Sequence, residues 1–256
     1  MCEDCGCSIS GSAAGHEHAA ETIQVMRGLM ENNNLQARHN REHFDRHGVL
    51  AVNLMSSPGA GKTRLLEATA EAAAGRWRIA VIEGDLETEN DAERLRAKGV
   101  PAVQITTGSA CHLDAGMVHA ALHELTLRDI DLVFIENVGN LVCPASFDLG
   151  QHLDVVLLSV TEGDDKPAKY PVMFRAADLV VMSKCDLLYA MDDFDPQRAR
   201  AALADLGTGV ELIQTAIGRK RDAGSWLNWL EQRLEQHRDG RPAAIAPSRP
   251  AAAQEI

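Results

Sequence analysis

Residues 50–70 read LAVNLMSSPGAGKTRLLEATA, and this stretch decides the fold. The apolar run at 49–55 has the length and branched side chains of a buried strand. Ser56-Ser57-Pro58-Gly59-Ala60-Gly61-Lys62-Thr63 follows as a tight loop, and helical spacing begins after it. Strand, glycine loop and helix in that order make a phosphate cradle. Gly59, Ala60 and Gly61 let backbone N–H groups approach phosphate oxygens, and the helix N-terminus adds the positive end of its dipole. Lys62 is placed to reach the β- and γ-phosphates, and Thr63 to hold Mg²⁺. Ser56 stands where such loops usually open with Gly.

Further apolar runs lie at 78–83, 102–106, 131–136, 154–160, 178–183 and 210–214, mostly separated by amphipathic stretches. Alternation of this kind predicts an α/β chain of the P-loop NTPase type: a mostly parallel sheet of about seven strands with helices on both faces, plus an N-terminal helical segment. Ligands of such sheets bind at the carboxyl ends of the strands, so chemistry is expected just after each run. Residues 1–15 (MCEDCGCSISGSAAG) read as a flexible tail, 16–47 as a helical lead-in, 48–237 as the P-loop domain and 238–256 as a disordered Pro/Ala-rich tail. In the lead-in, Ile23, Met26, Met30 and Leu35 form the apolar stripe of one helix, or of two with a break near Asn32–Asn34. A last helix is expected over 222–237, with Trp226, Leu227, Leu230 and Leu234 on one face.

Lys and Arg number 25 against 37 Asp and Glu, for a net charge of -12. A nucleic-acid binder needs a basic surface against phosphates, so that class is excluded. No apolar run is long enough to cross a bilayer. The N-terminus has Cys, Asp and Glu where a secretory signal carries basic residues, and a cytoplasmic location is expected.

Two acids complete a nucleotide site. Asp85 closes the run IAVIEGD and is placed to contact Mg²⁺ directly or through water. Glu136 closes DLVFIE and is followed by Asn137, Val138 and Gly139, so ExxG stands where many P-loop proteins have DxxG. Gly139 would let the backbone approach the γ-phosphate and sense its loss. The run DLVVMSK leads to Ser183-Lys184-Cys185-Asp186, the pattern that reads guanine: one carboxylate accepts both N1–H and the 2-amino group, and would repel the acceptor at N1 of adenine. Asp186 takes that part, Lys184 lays its stem along the base, and Thr215-Ala216 backs it. Ser183 replaces the commoner Asn, a change expected to loosen the loop. No Gln beside ExxG orients a water, so hydrolysis of GTP to GDP is expected to be slow and to rest on Mg²⁺ and Lys62. An ATP-dependent kinase on the same fold would need an adenine pocket in place of SKCD.

Six cysteines remain. Cys2, Cys5 and Cys7 lie close enough in sequence to wrap one ion, with the free α-amine as a further ligand; a planar N,S set favours Ni²⁺. His16 and His18 are too few for a storage tract. Cys111-His112 and Cys143 follow two strand ends and can share one rim of the sheet, where thiolate and imidazole suit Zn²⁺ or Ni²⁺; the alternative is that both cysteines are small buried hydrophobes. A ligand at Cys143, seven residues past Glu136, would couple nucleotide state to metal affinity. His119, further along the same expected helix, is a weaker candidate ligand, and reads more readily as a solvated surface histidine.

MCEDCGC, SSPGAGKT, EGDLET, GSACHLDAGMV, FIENVGNLVCPASFDLG and SVTEGDDKPAKYP together resemble the nickel GTPases of nickel–iron hydrogenase maturation, the HypB type. The resemblance implies a metallochaperone in which GTP binding and hydrolysis drive nickel delivery. It also implies a GTP-dependent homodimer, a HypA-type nickel protein and a prolyl-isomerase-like nickel chaperone as partners, and the hydrogenase large subunit as destination. By position, Cys2, Cys5 and Cys7 match the family's N-terminal metal site, and Cys111, His112 and Cys143 the site in its GTPase domain. A urease-type nickel GTPase would lack MCxxCGC; a passive nickel store would keep the thiols without needing Lys62.

Overall fold

The computed structural model describes residues 13–85, 90–217 and 222–240, with side chains from residue 27 onward. Seven strands, β1 (Leu50–Ser56), β2 (Ile79–Asp85), β3 (Ala102–Thr106), β4 (Leu132–Glu136), β5 (Leu153–Ser159), β6 (Leu179–Ser183) and β7 (Glu211–Gln214), form one sheet in the order β3-β2-β4-β1-β5-β6-β7. Every pairing is parallel, so the expected sheet is present within a residue or two of each apolar run. The helices are α1 (Ala13–His47), α2 (Lys62–Ala73), α3 (Asn90–Arg96), α4 (Ala115–Leu122), α5 (Lys166–Lys169), α6 (Pro171–Arg175), α7 (Pro196–Asp205) and α8 (Gly224–Arg238). None of them is long and apolar enough to cross a membrane.

Alternation along the strands explains the layers. Leu50, Val52 and Leu54 of β1 point with Val81 and Phe134 toward α2, α3 and α8. Ala51, Ile82, Val133 and Ile135 point the other way, toward α1 and α4. Beyond β1, Val156, Leu158, Val180 and Met182 pack on α6 and α7. Trp226 of α8 is fully buried and its indole N–H donates to Thr69 Oγ1 at 2.8 Å.

The lead-in is one unbroken helix through Asn32–Asn34. Its docking stripe differs from the expected one where side chains are described: Leu35 is 55% exposed, and from residue 27 onward the buried positions are Asn33, Ala37, Asn40 and Phe44, while the side chains of Ile23 and Met26 lie outside the described ones. The reason is that α1 is held by amides as much as by apolar contact. Asn33 donates to Asp148 O at 2.8 Å and accepts from Ala115 N–H at 2.9 Å. Asn40 donates to Ala115 O and Leu149 O at 2.8 and 3.0 Å. Gly150 permits this approach, because a Cβ there would lie 2.6 Å from Ala37 O. The expected tails at 1–15 and 238–256 fall mostly outside the described residues.

Candidate nucleotide and metal site

The loop after β1 opens onto a cavity of about 420 Å³ lined by Gly59, Gly61, Lys62, Thr63, Glu83, Asp85, Asp91, Glu136 and Gly139, among others. Ala60 lies buried beneath it. Ser56, in place of the usual Gly, accepts a hydrogen bond from Lys62 Nζ at 3.2 Å, so its hydroxyl steadies the lysine.

Glu83 and Glu136 are register partners on neighbouring strands, and both are almost wholly buried. Burial, then the Glu136, Asp91 and Asp85 charges, push the Glu83 carboxyl up to about 8, with Lys62 opposing. Burial likewise raises Glu136 to about 7, against the pull of Lys62 and of its hydrogen bond from Thr63. Thr63 Oγ1 lies 2.9 Å from both Glu136 Oε1 and Asp91 Oδ2, yet a hydroxyl has one proton to give. Glu83 Oε2 and Glu136 Oε2 are buried without a hydrogen-bond partner. Glu136 and Asp91 oxygens meet at the Thr63 hydroxyl, and Glu83 and Asp85 line the same cavity; hard oxygen donors of this kind fit Mg²⁺. Asp85 ends β2 on the cavity wall, its backbone oxygen accepting from Thr107 N–H at 2.9 Å.

Sequence reading missed Glu83 and Asp91. An acid inside the apolar run IAVIEGD, two residues before Asp85 and so on the same face of the strand, was the available signal for Glu83. Asp91 lies among several acids in ETENDAE, and nothing in its spacing separates it from the others.

On the base side, Ser183 donates to Ala60 O at 2.7 Å and is buried. It ties the SKCD segment to the phosphate loop, which corrects the expectation that Ser here loosens the loop. Lys184 takes a left-handed backbone (φ 59) with Nζ 3.3 Å from Thr161 Oγ1. Asp186 is half-buried in the turn that follows. Thr215 is buried, its N–H donating to Met182 O at 2.8 Å and its carbonyl accepting from Cys185 N–H at 3.0 Å; Ala216 pairs with Asp222.

Cys111, His112 and Cys143 come together. The two Sγ atoms are 2.9 Å apart, and Cys111 Sγ is 3.6 Å from His112 Nδ1. All three ligand atoms lie within 4.8 Å of one another, and both thiols are half-buried rather than lost in the core. The Cys111 thiol is raised by its hydrogen bond to Cys143 and then by burial. Burial lowers His112, favouring the neutral imidazole a metal needs, and Phe147 stacks on that ring at 3.9 Å. The stretch between Glu136 and Cys143 touches both sites. Gly139 lies against the phosphate loop so closely that a Cβ would meet Pro58 Cα at 2.8 Å. Asn137 Oδ1 accepts from Leu113 N–H at 3.1 Å, and Asn140 donates to Cys111 O at 3.2 Å. Cys2, Cys5 and Cys7 lie outside the described residues.

Residues 50–209 match the family model described as CobW/HypB/UreG, nucleotide-binding domain. Hydrogenase maturation factor HypB of Azotobacter vinelandii is 48% identical over 210 residues, covering 82% of this chain and 69% of that protein. Its counterpart in Escherichia coli K12 is 47% identical over 209 residues, covering 82% and 72%. The crystal structure of HypB from Helicobacter pylori in complex with nickel matches with a TM-score of 0.76 and 40% identity, over 84% of this chain and 99% of that one. Seven residues from Glu136 thus carry the chain from the nucleotide cavity to a thiol–imidazole cluster, and with relatives 47–48% identical over 82% of its length the chain belongs to the HypB proteins of the CobW/HypB/UreG family.

Proposed function

We propose that this chain is a GTP-hydrolysing nickel metallochaperone that delivers nickel for maturation of nickel–iron hydrogenase. The observation that carries the reading is the path from Glu136 to Cys143, which leans on the phosphate loop at Gly139 and on the metal cluster at Asn140 and Cys143. The names of the relatives and the nickel in the Helicobacter pylori structure support the cargo.

The phosphate-loop N–H groups and Lys62 hold the β- and γ-phosphates, while Thr63, Glu136, Asp85 and Asp91 gather around the cation site. Mg²⁺, when bound, neutralises charge that develops on the phosphates. Asp186 accepts from the guanine edge, Lys184 covers its face, and Thr215-Ala216 supports it. Gly139 offers its backbone to the γ-phosphate. A shift there is transmitted through Asn140 to Cys111 and through the chain to Cys143, changing the spacing of the sulfurs around nickel or zinc. Such coupling is reciprocal, so metal changes GTP affinity by the same factor. Delivery would proceed in the cytoplasm through a GTP-dependent homodimer, with a HypA-type protein and a prolyl-isomerase-like chaperone, toward the large subunit; Cys2, Cys5 and Cys7 would form the second nickel site.

Nickel titrations with GDP and with a non-hydrolysable GTP analogue test the coupling. Affinities at the Cys111–His112–Cys143 cluster should differ by at least about fivefold. Equal affinities would dismiss the switch.

A further inference from the structure

The seam between α2 and α3 carries two ion pairs, one turn apart. Arg94 of α3 reaches Glu67 of α2, with Nε 3.1 Å from Oε1 and Nη2 2.9 Å from Oε2. One turn further along α2, Glu71 accepts from Lys98 Nζ, just past the end of α3. Lys98 and Glu71 are not among the residues that line the nucleotide cavity, whereas Arg94 and Asp91 are. Arg94 Nη1 donates to Asp91 Oδ1 at 2.7 Å. The other Asp91 oxygen, Oδ2, accepts from the Thr63 hydroxyl at 2.9 Å. Glu67 lies one turn past Thr63 on α2, so Thr63, Asp91, Arg94 and Glu67 close a ring.

Asp91 needs such a hold. Its side chain is 38% exposed, and it stands in the first turn of a seven-residue helix, so burial does not fix the carboxylate. Two hydrogen bonds do, one on each oxygen. Arg94 is itself 49% exposed, and a single ion pair at that exposure contributes little. Here, however, three guanidinium nitrogens are spent on two carboxylates, a planar fork that fixes direction as well as distance. A lysine ammonium is a point charge and cannot reproduce it. Direction matters because Thr63 has one proton and two carboxylate acceptors at 2.9 Å, Asp91 and Glu136. Whichever acid Thr63 does not serve keeps its lone pairs for a cation.

We propose that Arg94, anchored by Glu67, is the positioning residue that holds the Asp91 carboxylate in the Mg²⁺ site beside Thr63. The inference rests on the reading of this cavity as an Mg²⁺–nucleotide site and assigns that site a supporting residue. Ligating carboxylates have hydrogen-bonded partners of their own, and losing such a partner typically costs about 10–100-fold in metal affinity. The Lys98–Glu71 pair separates positioning from plain docking of α3. It joins the same seam, so a docking role would make loss of either pair act alike. A role through Asp91 belongs to the Arg94–Glu67 pair alone.

The test uses the full chain loaded with GDP. Magnesium chloride is titrated by calorimetry, and Mn²⁺ in its place is followed by electron paramagnetic resonance, whose line shape reports the ligand set. R94Q should weaken the ion by about tenfold or more and change the Mn²⁺ spectrum. E67Q should move both in the same direction, and K98Q should leave both as in the parent. R94K keeps the charge and loses the fork, so its affinity should stay reduced. The Mg²⁺ concentration for half-maximal GTP hydrolysis should rise in R94Q, with the KM for GTP at saturating Mg²⁺ unchanged. Should R94Q unfold by circular dichroism, E67Q carries the expectation. Parent-like Mg²⁺ affinity in folded R94Q or E67Q, an equal loss in K98Q, or full affinity in R94K would overturn the proposal. A GDP-loaded parent that takes up no Mg²⁺ would overturn the reading of the cavity itself, so the two failures are distinguishable.

Discussion

Strand β4 has a carboxylate at each end, in opposite surroundings. Asp131, just before the strand, accepts from Arg78 backbone N–H at 2.8 Å, from Arg78 Nε and Nη2 at 3.0 and 2.9 Å, and from Arg238 Nη2 at 3.0 Å. The Arg78 hydrogen bond holds its carboxyl down at about 2. Glu136, the last residue of the same strand, is buried beside Glu83 and raised to about 7. The amino end of the sheet is satisfied within the chain. The carboxyl end carries acids with too little positive charge around them, the kind of electrostatic imbalance that gathers at functional sites.

The largest test of that contrast is Lys62→Ala, which removes a cation facing the rim acids. GTP hydrolysis should fall by about a hundredfold or more; a turnover assay within a factor of about two of the parent would mean the rim is not the catalytic end. Next comes Gly139→Ala. A Cβ 2.8 Å from Pro58 Cα must displace backbone, so the nucleotide dependence of nickel affinity should disappear while the thiol cluster still binds metal. Retained coupling would sever the two sites. At the quiet end, Asp131→Asn should lower the melting temperature by a few degrees and leave nucleotide binding alone. The Asp131 carboxyl is lowered from 3.8 to about 2, so its contribution is present above pH 3.8 and is lost as pH falls through about 2; parent and variant should converge there.

Glu83→Gln in Mg²⁺-free protein probes the rim through its pH dependence. The carboxyl rises from 4.5 in the ordinary state to about 8 in the fold. Over that window the unfolded chain releases a proton that the folded chain keeps, so parent stability falls as pH rises. The Gln variant should show a shallower fall in denaturant melts from about pH 5 to about pH 8. Parallel curves would place Glu83 in a solvated setting and blunt the comparison.

The fold was legible because each strand is a short apolar run and the loop after the first is chemically unmistakable. Lys62, Thr63, Asp85 and Glu136 could be named because they follow strand ends, where parallel sheets present their chemistry. Glu83 could be reached only by noticing an acid inside a strand. Asp91 reaches Thr63 across the gap between α2 and α3, a contact no local pattern encodes. The docking of α1 was misread at Leu35 because the buried stripe carries Asn33 and Asn40, and a hydrophobic pattern does not register amides that are buried for their hydrogen bonds.

By itself the sequence determined the order of strands and helices, the phosphate loop and the guanine-type SKCD segment, since these rest on local periodicity and on residues adjacent in the chain. Tertiary structure alone decided that Cys143 meets Cys111, that Ser183 bonds the phosphate loop, and that Asp91 and Arg94 of α3 close a ring with Thr63 and Glu67 of α2. Each of these joins residues far apart in the chain, and such distances are set by how strands register and helices pack rather than by any spacing along the sequence.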